Sequence, residues 1–131
     1  MRITYPSQKD MLEINKIVLE EIRVQKADRY GLMPSGKETI RNLIRRMKSA
    51  KGDIFDKTVV LLKGIIRQHP FMSGNRRTAM IATMTFLEIN GKRFIAKKDI
   101  GVIYGIRELF YSDKEINKWI RGGEIREFKR Q

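Results

Sequence analysis

The sequence contains no cysteine. Disulfides are thereby excluded, and so is any thiolate metal site. Histidine occurs once, at His69, which leaves no basis for a zinc cluster. No uninterrupted apolar run approaches the length of a membrane span, and the first residues show no secretory pattern. The expected location is cytoplasmic, with no membrane partner. Acidic residues are scarce: 15 Asp and Glu stand against 28 Lys and Arg, a formal net charge of +13. A surface of that sign favours nucleotides, nucleic acid, acidic proteins or anionic lipid. A merely solvated, lysine-rich surface is the plainer alternative. Nucleic acid is not the expected partner, because no helix-turn-helix, zinc or aromatic-basic signature accompanies the charge.

What is present suits one domain over residues 1–131, with 41% hydrophobic residues and enough chain to bury a core. Apolar residues recur at helical spacing through most of it, so the expected fold is all-α. Ser7 or Asp10 opens a helix to about residue 25, with Met11, Ile14, Ile17, Val18 and Ile22 on one face. Residues 26–36 hold Gly31, Pro34, Ser35 and Gly36 and read as a loop. A helix follows to about residue 50, with Ile40, Leu43, Ile44 and Met47 inward and Arg41, Arg45, Arg46 and Lys48 outward. Residues 53–68 and 75–88 are apolar on nearly every side, which marks two central helices. Asn90-Gly91 stops the second. A helix over residues 98–110 is interrupted by Gly101 and Gly105, and Ser112 to Glu115 has capping-box spacing for a last helix to about residue 121. The charged stretch 124–131 is expected to fray.

Between the two central helices lies His69-Pro70-Phe71-Met72-Ser73-Gly74-Asn75-Arg76-Arg77-Thr78-Ala79. Pro70 cannot continue the helix before it. Gly74 supplies backbone freedom, and Asn75 suits unusual backbone angles or a helix cap. A tight loop feeding a helix N-terminus is expected, with free N–H groups and the positive end of the dipole. Arg76 and Arg77 in that first turn are disfavoured unless an anion neutralises them, so phosphate is the expected ligand. His69 is the candidate general base, because imidazole titrates near neutrality. A satisfied structural histidine is the plainer reading of a lone His.

This stretch resembles the signature of the Fic/Doc family, His-x-Phe-x-(Asp/Glu)-(Gly/Ala)-Asn-(Gly/Lys)-Arg, through His69, Phe71, Gly74, Asn75 and Arg77. Arg76 stands where Fic proteins have Gly and Doc proteins Lys, and its charge leans towards the Doc, or death-on-curing, branch. Ser73 departs from the pattern by replacing the acidic residue. Met80 stands where many Fic proteins carry a further Arg. The resemblance implies a compact helical bundle, with room for a small hairpin flap. It implies His69 as the catalytic base, Phe71 as the loop anchor, and Gly74, Asn75, Arg76 and Arg77 as the nucleotide phosphate site. Tyr30, Gly31, Leu32 and Met33 match the flap that holds a target peptide by its backbone; an ordinary connector is the alternative.

Doc proteins transfer the γ-phosphate of a nucleoside triphosphate to a Thr of a translation elongation factor, so the resemblance implies a protein kinase of the toxin type. It further implies a protein substrate such as a translation factor, ATP or another nucleoside triphosphate, and restraint by a separate antitoxin, since no (Ser/Thr)-x-x-x-Glu-(Gly/Asn) inhibitory run is found. Mg²⁺ is the family's metal, held by the acidic position that Ser73 occupies here, and a neutral hydroxyl is a poor ligand for it. The alternatives are a Fic-type transferase of AMP and a non-catalytic module that binds nucleotide or protein.

Overall fold

The computed structural model describes residues 2–21, 29–97 and 99–129. Six helices form the regular structure there: α1 (Gln8–Glu21), α2 (Gly36–Ser49), α3 (Ile54–Gln68), α4 (Asn75–Ile89), α5 (Ile100–Arg107) and α6 (Asp113–Ile120). The fold is all-α. The end of the first expected helix at residues 22–25, the face position Ile22 and the loop start at 26–28 lie outside the described residues. So do Lys98, the expected start of the fifth helix, and the last two residues.

Each boundary has a local cause. Asp53 accepts from the N–H groups of Phe55 and Asp56, while the Asp56 carboxylate accepts from the Asp53 N–H. This reciprocal box sets the start of α3. Ser112 and Glu115 form another such box at the start of α6, as their spacing predicts. Asp99 accepts from the Gly101 N–H and opens α5. The C-terminus of α2 ends on a buried ammonium: Lys57 Nζ donates to the carbonyls of Met47, Lys48 and Ala50 at 3.1, 3.3 and 2.7 Å. A cation is well placed at that negative helix end.

The centre is α3, which packs most extensively on α4 and also meets α2, α5 and α6. Its Leu61, Leu62, Ile65 and Ile66 are buried. Gly64 lets α2 approach closely, since a Cβ there would meet Leu43 Cδ1 at 2.2 Å. On α4, Ala79, Ala82, Phe86 and Leu87 are buried, whereas Ile81 and Ile89 face solvent. That helix is therefore central on one side only. Among the described residues no helix is long and apolar enough to cross a membrane.

Two expectations are corrected. The stretch 124–129 does not fray: Ile125 and Phe128 pack against the core. The Tyr111 hydroxyl donates to the Arg126 carbonyl at 2.9 Å, and Arg126 pairs with Glu115 at 2.6 Å. The Arg126 guanidinium lies over the Phe110 ring at 3.9 Å and donates to the Phe110 carbonyl. The described part of the flap, residues 29–36, also forms no hairpin of its own; it pairs with the motif loop through one antiparallel bridge, Leu32 with Phe71.

Candidate active site

The motif loop joins α3 to α4. His69 closes α3 in the left-handed region, φ 48° and ψ 61°, and its N–H still donates to the Ile65 carbonyl. Few non-glycine residues adopt that conformation, and such strain clusters at functional sites. His69 is exposed, as are Arg67 and Gln68 before it, and the chain returns to the core at buried Pro70.

Phe71 is that return. It is fully buried, as the anchor reading expects. Its two outward backbone groups are satisfied by one side chain: Asn75 accepts from the Phe71 N–H at 3.0 Å and donates to the Phe71 carbonyl at 2.9 Å. Asn75 is thus not the helix cap that its residue type suggests. Capping requires the side chain to lie over the helix end, and this amide is engaged four residues back. The cap is Gly74, at φ 76°. Beyond that backbone angle, a Cβ there would press on Leu19 Cδ2 at 3.1 Å.

The consequence is at the start of α4. Helices α1, α2, α3 and α6 carry an acidic residue in their first turns, and α5 is capped by the Asp99 side chain. Only α4, among the described helices, has neither an acidic first turn nor a side-chain cap. It has Arg76 and Arg77 there instead. Its first N–H groups thus share one turn with two arginines, a placement that suits an anion.

The inward side of the loop is held by Asn15, a residue the sequence reading did not single out. It is buried, and its Nδ2 donates to the Ser73 carbonyl at 2.9 Å and to Thr78 Oγ1 at 3.1 Å. Ser73 Oγ accepts from the Arg29 N–H at 3.0 Å. The hydroxyl is thereby tied to the segment before the flap. Among the described residues no group of three or more His, Asp or Glu could hold a metal ion. The neutral hydroxyl of Ser73 is a poorer ligand for Mg²⁺ than the carboxylate it replaces.

The flap residues lie directly on the loop. The Met33 N–H donates to the Pro70 carbonyl at 2.9 Å, and the Met72 N–H donates to the Gly31 carbonyl at 3.0 Å. In this pattern the N–H and carbonyl of Leu32 point away from the loop, the geometry that accepts a further extended strand. Gly31 takes a φ of 102°. Tyr30 and Met33 are exposed beside it.

Arg76 is drawn to a second residue missed from sequence. Its Nη1 donates to the Tyr104 hydroxyl at 3.0 Å, and its guanidinium lies 5.3 Å from the centre of that ring. Arg107 covers the same ring at 5.0 Å. Arg76 and Arg77 also border a largely apolar cavity of about 270 Å³, lined by Met80, Ile81, Ile100 and Ile103 together with Asp99. The start of α4, the flap and this cavity thus adjoin one loop, with His69 at its start. Asn15 and Tyr104 had no signal in the sequence, since both partners lie in elements far along the chain.

The sequence model of the Fic/DOC family matches residues 5–87, more than half of the chain. The match runs from α1 through α4 and takes in the whole motif loop. Over 47 residues the chain is 43% identical to the protein named Toxin Doc of Mycolicibacterium smegmatis (strain ATCC 700084 / mc(2)155). That alignment covers 36% of each chain, so this chain spans about a third of the relative it matches.

Proposed function

The chain belongs to the Fic/DOC family, and we propose that it is a Doc-type toxin that transfers a phosphoryl group from a nucleoside triphosphate to a protein hydroxyl. The observation that carries this reading is the start of α4, where a helix end without a side-chain cap and two arginines follow the exposed His69 on one loop. Polyphosphate is the ligand class that such a helix start suits. The largely apolar cavity bordered by Arg76 and Arg77 is open to the base of the same nucleotide.

In the step proposed, His69 takes the proton of the protein hydroxyl as its oxygen bonds to the γ-phosphorus. The bond from that phosphorus to the bridging oxygen breaks, and the nucleoside diphosphate leaves. Arg77 and the first N–H groups of α4 hold the departing charge, and Arg76 is steadied by Tyr104 for the same purpose. The target chain adds to the free edge of Leu32. No step is routed through Mg²⁺, for which Ser73 offers only a neutral hydroxyl. A translation factor is the proposed target, and a separate antitoxin the proposed restraint.

Two specific observations keep a second reading in view. Ser73 replaces the acidic ligand and spends its oxygen on Arg29. That favours a module that binds nucleotide without transferring it. Incubation with ATP and cell lysate separates the possibilities. Label from the γ position on a protein band is the expected result. Label from the α position identifies a nucleotidyl transferase, and no label with ATP still bound identifies the silent module.

A further inference from the structure

A second concave surface runs along α3 up to Gln68. It holds about 250 Å³ between α2, α3 and the α5–α6 turn. Its walls carry Arg46, Lys63 and Arg67, its apolar lining includes Val60 and Leu109, and Gln68 lies at its upper end. The one carboxylate in the lining, Asp113, is already paired with Lys63 at 2.7 Å. Arg46 and Arg67 have no carboxylate partner among the described residues. Each uses one N–H group internally, Arg46 on Gln68 and Arg67 on the Arg107 carbonyl. The remaining donors of both guanidinium groups stay available for an anion.

Leu109 makes this surface unusual. It stands at the end of α5 with φ 60°, and the Phe110 N–H folds back to the Gly105 carbonyl. Glycine is the ordinary solution at that position of a helix ending. Here a leucine occupies it with 58% of its surface exposed. The backbone angle serves the helix ending, but the exposed leucine side chain does not. It puts a large apolar group at the rim of a basic groove.

We propose that this groove docks an acidic polypeptide segment, with an apolar side chain seated on Leu109 and Val60 and flanking carboxylates held by Arg46 and Arg67. Charge complementarity selects an anionic partner. The apolar seat selects a polypeptide over a nucleic acid, whose bases need aromatic platforms that the lining lacks. The groove rises along α3 to Gln68, the residue before His69, so a bound segment extends towards the imidazole. Only that last consequence rests on the transfer reading above.

The test is a titration of the isotope-labelled protein, followed by NMR, with the peptide Glu-Asp-Leu-Asp-Glu and without nucleotide. Shifts centred on the amides of Val60, Gly64, Arg67 and Leu109 are expected. The affinity should fall about tenfold with the Arg46→Gln/Arg67→Gln double variant, with an amide peptide Gln-Asn-Leu-Asn-Gln, or with alanine in place of the peptide leucine. Leu109→Gly suits the backbone better, so it should bind the leucine peptide more weakly while melting no lower than the parent. Absence of shifts, shifts elsewhere, equal binding of the amide peptide, or equal binding of an oligouridine overturns the proposal. So does a Leu109→Gly protein that melts lower and binds as before. Because no nucleotide is present, a failed transfer assay leaves this result standing, and a failed titration leaves the transfer reading standing.

Discussion

Asn15 lies in α1 on the face that also holds Met11, Val18 and Leu19, and only 1% of it is exposed. A polar side chain there is costly unless its donors are used. They are used on Ser73 and Thr78, that is, on both sides of the Gly74 cap. The residue thereby sets the height of the α4 start relative to α1. Asn15→Ala removes both bonds and strands the Ser73 carbonyl, at a cost of about 1–3 kcal/mol. Urea denaturation should show that loss. Nucleotide binding by titration calorimetry should weaken while the helical circular dichroism is kept. Unchanged binding in a destabilised variant would make Asn15 a core residue with no bearing on the anion site.

At the scale of elements, α2 and the loop are locked by a close approach. A Cβ on Gly36 would meet the Pro70 carbonyl at 2.2 Å, and that carbonyl also accepts from Met33. Gly36→Ala must therefore separate residues 31–33 from 70–72. Faster amide exchange at Met33 and Met72 is expected, with a stability loss of about 1–3 kcal/mol. Protection equal to the parent would show that the loop yields without losing the bridge. The helices themselves were legible, because period and punctuation are local: Ser112 with Glu115, Asn90-Gly91 and the apolar runs of α3 and α4 each read from a few neighbours. What was not legible is pairing across distance. Asn75 has the residue type of a cap, but its partner Phe71 could be assigned only with the turn in place. Ser73 stands at the family's metal position, and its bond from the Arg29 N–H could be found only with the chain folded. The tail looked like a polar end because its anchors, Phe110, Tyr111 and Glu115, belong to other elements.

Over the whole molecule, the formal charge of +13 opposes compactness, and the few carboxylates are placed where they matter. Glu115 is the clearest case. Donors from Arg126, and then the Ser112 N–H, lower its pKa from the ordinary 4.5 to about 2. A carboxyl lowered by folding stabilises the folded state above its ordinary value, and this contribution is lost as pH falls through the lowered one. The melting temperature of the parent should therefore exceed that of Arg126→Gln at neutral pH, and the gap should close between about pH 4.5 and about pH 2. A gap independent of pH would assign the tail's attachment to ring packing alone. The account's central claim concerns the other end of α3, where an exposed, left-handed His69 is read as the base for phosphoryl transfer. The most direct measurement is transfer of γ-label from ATP to protein by the parent and by His69→Asn, which suits the left-handed angle but cannot take the proton. The account expects labelled protein with the parent, none with His69→Asn, and the same melting temperature and ATP affinity for both. Undiminished transfer by His69→Asn would contradict it.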